Sequence, residues 1–184
     1  MKVSKEKVAE HEKRILAAAA QLFRKHGFND VTVSQIMKEA GLTHGAFYGH
    51  FSNKEALIAE AVGQALPPAP NEAVPRRSAS NFADSYLSEK HRDERANSCL
   101  FLSLGTEASR GSPDLRHRMT EGIRRRLSHL ETDAIGETAD EKRRAAILTW
   151  SAMVGAMVLA RLVDDDHLSK ELMIETRRAL PIAP

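Results

Sequence analysis

Apolar positions in the first third of the chain recur at helical spacing. Val8, Ile15, Ala19, Leu22 and Phe23 form one stripe, which predicts a helix over residues 5–26 with Ser4 as its cap and Gly27 just past its end. Val33, Ile36, Met37 and Ala40 fall at i, i+3, i+4 and i+7 and predict a second, shorter helix. Thr32 and Gln35 stand three apart, as in a capping box, so that each satisfies an otherwise orphaned amide. Gly41 closes that helix, because glycine takes the left-handed conformation without a Cβ clash. Leu42 returns to the core and Thr43 is placed to cap a third helix, whose inward side is Phe47 and Phe51. Ser52 with Glu55 repeats the capping box and opens a connector helix over residues 53–66. A helix that stops, turns within a few residues and restarts is a helix-turn-helix. Its predicted core is Leu16, Leu22, Phe23, Ile36, Met37, Leu42, Phe47 and Phe51.

Pro67, Pro68, Pro70 and Pro75 cannot sit inside a helix and mark the clearest boundary. They divide the chain into a helix-turn-helix domain (1–52), the connector (53–66) and a second domain (67–184). Beyond them, one helix is predicted over 77–90, with Phe82, Tyr86 and Leu87 inward. Residues 97–110 are apolar on almost every side at first, which predicts deep burial. Ser112-Pro113 starts a helix reaching about residue 132, since proline fits the first helical position. Thr138 and Glu141 form another capping box and open a long helix to about residue 163. Asp165 or Asp166 caps the last helix, which ends near Leu180. Arg124 to Arg126 reads as a solvated helix face, and Asp164 to Asp166 as capping carboxylates and not a metal site. No Val/Ile alternation is long enough for a strand, so the fold class is all-α.

Composition narrows the function. Net charge is only +2, which argues against a chain-wide basic field. The excess lies in residues 1–66, with nine Lys/Arg against seven acids and four of the eight histidines, a mild pointer to nucleic acid. A single cysteine excludes an intrachain disulfide and fits a reducing compartment. The charged N-terminus does not read as a signal peptide. The longest uncharged run, 145–160, falls short of the ~20 apolar residues of a bilayer span. A soluble, cytoplasmic protein is expected. No paired carboxylate, metal-ligand quartet or nucleophile with a base stands at useful spacing, so neither an enzyme nor a cofactor or metal site is expected. The rival class is an α-helical enzyme or small-molecule binding protein without DNA function.

The stretch GLTHGAFYGHFSNKEAL resembles the TetR/AcrR family of transcriptional regulators. Gly41, Leu42, Thr43, Gly45, Phe47, Tyr48, Phe51 and Lys54 all meet the family pattern. The resemblance implies an all-α protein with an N-terminal three-helix DNA-binding bundle and a C-terminal helical domain for ligand binding and dimerisation. It implies a repressor that binds a palindromic DNA operator as a homodimer and is released by a small-molecule effector.

Residue chemistry assigns the DNA contacts. An α-helix with Phe47 and Phe51 inward puts Gly45 and Gly49 on its outermost face, flanked by Ala46 and Tyr48. That bare ridge lets the backbone enter a major groove, with Thr43 and His44 at the helix N-terminus toward phosphate or base edge. Ala46 offers only a methyl, which suits a thymine methyl; the family often has Thr here, so a hydroxyl contact is in doubt. Tyr48 and His50 read as phosphate clamps, as do Thr32 and Ser34, although His50 equally suits a half-buried packing role. Lys54 opposes its own helix dipole, which a phosphate partner explains.

In the second domain the resemblance implies pairing of the last two helices with those of a mate. Ala152, Gly155, Ala156 and Leu159 on the long helix, with Leu168, Leu172, Thr176 and Ala179 on the last, are the candidate interface. It also implies an effector pocket, with Phe82, Tyr86, Phe101, Leu102, Leu104, Trp150, Met153 and Met157 as walls and Glu107 and His117 as polar anchors for an apolar or aromatic ligand. Cys99 opens a helix near Arg92 and Arg95, a setting that lowers thiol pKa, so a thiol-based sensor of electrophiles or oxidants is an alternative.

Overall fold

The computed structural model describes residues 4–66 and 77–183, all of them helical or connecting segments. The proline-rich boundary falls outside the described residues. Two compact units emerge. One holds the chain up to Leu66 together with Cys99–Thr120; the other holds the rest. The units therefore differ from the divisions read off the sequence: residues 99–120 pack with the N-terminal bundle.

In the first unit, α1 (Lys5–His26) starts at Ser4, whose hydroxyl accepts from the Lys7 amide, and stops at Gly27 with φ +83°. Helix α2 (Val33–Glu39) carries the full Thr32/Gln35 capping box. Gly41 follows at φ +67°. The Arg14 guanidinium donates to the carbonyls of Ala40 and Gly41, so α1 holds the end of α2, where helix carbonyls lack internal partners. Helix α3 (Lys54–Gln64) is the connector. Its cap is Asn53, whose side chain accepts from the Ala56 amide, in place of the expected Ser52/Glu55 box. Helix α6 (Leu100–Ala108) lies against α1, and the first turns of α7 (Pro113–Glu131) complete the unit.

The core joins Ile15, Leu16, Phe23, Ile36, Met37, Phe47, Phe51 and Leu57 to Leu104, Leu115 and Met119. Full burial of each such side chain contributes ~1.5–3 kcal/mol. Leu22 and Leu42, expected inside, are half-buried, and Val8 is exposed because α1 runs past the bundle at its start. Helix α6 begins at Leu100, not near residue 97, and buries only Leu100, Leu104 and Ala108; the expected all-round burial does not hold.

In the second unit, the helix expected over 77–90 is two. Helix α4 (Ala79–Tyr86) ends at Leu87, and Ser88 caps α5 (Glu89–Asp93), because its hydroxyl captures the His91 amide. Helix α8 (Ala139–Leu162) opens with the Thr138/Glu141 box, and α9 (Asp166–Ala179) starts at Asp165. These two pack along each other, with the buried Ser169 hydroxyl donating to the Ala160 carbonyl at 2.8 Å. Arg92 ties α5 to α9 through Asp166 at 3.0 Å and Ser169 at 2.9 Å. Lys170 and Arg92 together hold the Asp166 carboxyl below its ordinary range. Arg161 donates to the carbonyls of His91 and Arg92, and Arg177 joins α9 to α4 through Asp84 and Ser80.

Arg126 is half-buried over the Phe82 ring at 4.2 Å and is no part of a solvated run. Helix α8 is longer than the uncharged run within it. By length and composition alone it is long and apolar enough to cross a membrane, a test that core helices also pass, and 44% of its most apolar window is buried.

Candidate nucleic-acid interface

The segment His44–Gly49 is helical but wound as a 3-10 helix, not as the expected α-helix. The Ala46 amide donates to the Thr43 carbonyl at 3.1 Å and the His50 amide to Phe47 at 2.9 Å, both three residues back. The Phe51 amide reaches four back, to the same Phe47 carbonyl. Two glycines in six residues supply too little α-helical propensity to hold the wider turn. Thr43 sits at the cap position without a side-chain hydrogen bond, which leaves its hydroxyl free for an outside partner.

The inward side is as expected. Phe47 and Phe51 are buried, their rings 5.8 Å apart. The outward side carries His44, Gly45, Tyr48 and Gly49, all exposed, with Ala46 half-buried at the edge. A Cβ added at Gly45 or Gly49 would meet nothing within 4 Å, so the ridge is open. Tyr48 stands up from it at 68% exposure, its ring in edge contact with Phe47 at 5.2 Å and with His44 at 6.1 Å. Those contacts limit its rotamers without burying the hydroxyl. Thr32 and Ser34 are exposed at the start of α2. Lys54 is half-buried at the first position of α3.

His50 is half-buried, its ring 6.3 Å from that of His11, and its Nδ1 is buried without a hydrogen-bond partner among the described residues. That placement leans toward packing. Arg14, which anchors the turn of the motif, stood out in no sequence pattern; only its register on α1 opposite Gly41 gives it that task.

Residues 15–61 match the TetR family of bacterial regulatory proteins. Residues 15–61 are thus similar to the N-terminal domain of that family. An HTH-type transcriptional regulator of Bacillus subtilis (strain 168), YdgC, is 48% identical over 58 residues, 32% of this chain and 30% of that protein. The HTH-type transcriptional repressor BepR of Brucella suis biovar 1 (strain 1330) is 38% identical over 68 residues, 37% of this chain and 32% of that protein. These likenesses thus span about a third of each relative's length. The fold extends further. A TetR-family regulator from Cytophaga hutchinsonii superposes over 100% of both chains with a TM-score of 0.70 at 17% identity. The reduced form of E. coli NemR does so over 94% of this chain and 97% of its own, with a TM-score of 0.67 at 20% identity.

The remaining candidate residues fall in both units. Phe82, Tyr86 and Trp150 come together, with Tyr86 and Trp150 5.4 Å apart and Phe82 and Tyr86 5.6 Å apart. Met153 and Met157 are fully buried in the same unit. Phe101, Leu102, Leu104, Glu107 and His117 belong to the other one. There Leu104 is core, Phe101 packs against it, and His117 is exposed. Glu107 accepts the Phe28 amide at 2.7 Å, so this carboxylate already has a structural partner.

On α8, Gly155 and Leu159 are exposed and Ala152 half-buried, while Ala156 turns inward. On α9, Leu168 and Ala179 are exposed, and Leu172 and Thr176 half-buried. Leu148, Val158, Leu162 and Ile174 extend this apolar surface, Leu162 at 73% exposure. Cys99 is half-buried at the start of α6. Within its unit Cys99 acts electrostatically on Arg24, while Arg92 and Arg95 belong to the other unit.

Proposed function

We propose that this chain is a dimeric transcriptional repressor that reads a palindromic DNA operator and is released by a small-molecule effector. The observation that carries the reading is the open glycine ridge of Gly45 and Gly49, held outward by buried Phe47 and Phe51. A ridge without side chains admits the backbone to a major groove, where Thr43, His44 and Ala46 meet base edges and Tyr48, Thr32, Ser34 and Lys54 meet phosphate. One such head reads few base pairs. Two heads about 34 Å apart read successive major-groove faces of a palindrome, which is what pairing through α8 and α9 supplies. The exposed Leu148, Gly155, Leu159 and Leu162 support that pairing, since a contiguous apolar face of this kind marks an interaction surface. The aromatic group of Phe82, Tyr86 and Trp150 is the proposed wall of the effector site and favours an apolar or aromatic ligand. A soluble cytoplasmic location follows from the same reading.

The test is footprinting on the DNA flanking the gene, followed by affinity against salt. Protection of a palindrome, with log affinity falling linearly in log salt, is the expected result. Binding without salt dependence, or no protected palindrome, refutes it.

A second reading is supported by Arg24. Burial lowers the Arg24 pKa, while the charge of Cys99 acts in the opposite direction, so the two groups are electrostatically coupled. A thiol that solvent can reach is open to electrophiles, and Cys99 is only half-buried at the start of α6. Mass spectrometry after a mild electrophile tests it: an adduct on Cys99 that lowers operator affinity supports a thiol-sensing regulator, and an unmodified Cys99 excludes it.

A further inference from the structure

A hollow of about 360 Å³ opens in the first unit between the loop that precedes α2, the first turn of α3 and the turn from α6 to α7. Asn29, Lys54, Glu55, Glu107 and Arg110 line it, above Leu115. Its polar groups are unequally engaged. The Glu107 carboxylate binds the Phe28 amide. Lys54 and Arg110 have no ion pair or side-chain hydrogen bond among the described residues. Lys54 stands at the first position of an eleven-residue helix, where the helix dipole opposes a cation. Arg110 is exposed just past the end of α6. Lys54 and Arg110 share this concave surface with the carboxylates of Glu55 and of Glu107, the latter bonded to Phe28; of these groups the exposed guanidinium suits the two oxygens of a phosphate. The hollow also adjoins the residues leading into α2, whose exposed Thr32 and Ser34 are the other phosphate candidates.

We propose that Arg110, with Lys54, seats a backbone phosphate of the operator DNA, so that the turn after α6 extends the contact beyond the helix-turn-helix. This rests on the DNA-binding reading above. Such a contact fixes no base. It strengthens binding on every sequence and steepens the dependence on salt.

The experiment measures the affinity of full-length protein for operator duplex across a salt series, for wild type, Arg110→Gln, Arg110→Lys and Gly49→Leu. Arg110→Gln is expected to weaken binding to all sequences alike and to reduce the log–log salt slope by about one per protomer. Arg110→Lys is expected to keep most of the slope. If Arg110→Gln binds with the wild-type slope while Gly49→Leu loses the operator, the proposal fails and the DNA reading stands. If Gly49→Leu also binds as wild type, the DNA reading itself fails. Inorganic phosphate titrated by calorimetry without DNA distinguishes the remaining source. Saturable binding that Arg110→Gln abolishes would assign the hollow to a free anion and overturn the proposal; no binding supports it.

Discussion

The Glu107 carboxylate accepts the backbone amide of Phe28 at 2.7 Å, across a separation of seventy-nine residues. That bond pins the end of α6 to the loop that feeds the helix-turn-helix. Gly27 makes room for it: a Cβ there would lie 2.5 Å from Glu107 Oε1, at a backbone φ of +83°. Gly27→Ala is therefore expected to destabilise the protein by about 1–3 kcal/mol, combining left-handed strain with displacement of the carboxylate. Glu107→Ala is expected to cost about as much, because a part-buried amide loses its acceptor. Urea unfolding followed by circular dichroism measures both. A loss under 0.5 kcal/mol, roughly the noise of a surface substitution, would show the bond to be incidental.

Gly49→Leu should leave the fold and the proposed dimer intact and abolish binding to the proposed operator. A Cβ there would meet nothing within 4 Å among the described residues, so a loss of binding at unchanged stability points to the DNA side. Unfolding midpoint and sedimentation should match wild type, while mobility shift on the operator disappears. Normal binding by this variant would rule out deep entry into the groove.

Charge placed on the outer face of α8 should separate the protomers of the proposed dimer. Leu159 and Leu162 are exposed, at 49% and 73%. The double substitution Leu159→Glu with Leu162→Glu is expected to give a monomer by analytical ultracentrifugation, with helicity retained and operator affinity reduced at least about tenfold, since one head then binds without its mate. A double variant that sediments as wild type would place the pairing surface elsewhere.

Acid should act through His91. Burial holds its imidazole below the ordinary pKa, against the opposing effect of its bond to the Tyr86 carbonyl, and Arg161 adds to the lowering while Glu94 opposes it. Below about pH 6.5 the unfolded chain binds a proton that the folded chain refuses. Stability from this group is thus complete above that pH and declines as pH falls through the folded value. His91→Gln, which retains a donor toward Tyr86, is expected to flatten the pH dependence of unfolding free energy between about pH 7 and pH 5 by up to one proton. An unchanged slope would place the titration in another group.

Much of the molecule was legible from local sequence, and the reasons are local. The bounds of α1, the caps at Thr32 and Thr138, the turn at Gly41 and the inward Phe47 and Phe51 each depend on residues within one or two turns of one another. The family motif lies in the same short stretch, so the open glycine ridge proposed to face DNA is legible there as well. Where local signals competed, the sequence misled. Ser52 and Asn53 both suit a cap and Asn53 takes it, and the hydroxyl of Ser88 interrupts a helix that periodicity alone would continue.

Tertiary structure alone decided which distant residues meet. Arg14 on the carbonyls after α2, Glu107 on Phe28, Arg24 near Cys99 and Arg126 over Phe82 join positions whose separation along the chain carries no periodic signal. A polar side chain in sequence shows what it can bind, but the partner is whatever the packed helices bring within reach. That is why the reading head could be read residue by residue, while the membership of α6 in the N-terminal unit and the hollow beside Lys54 had to be found in space.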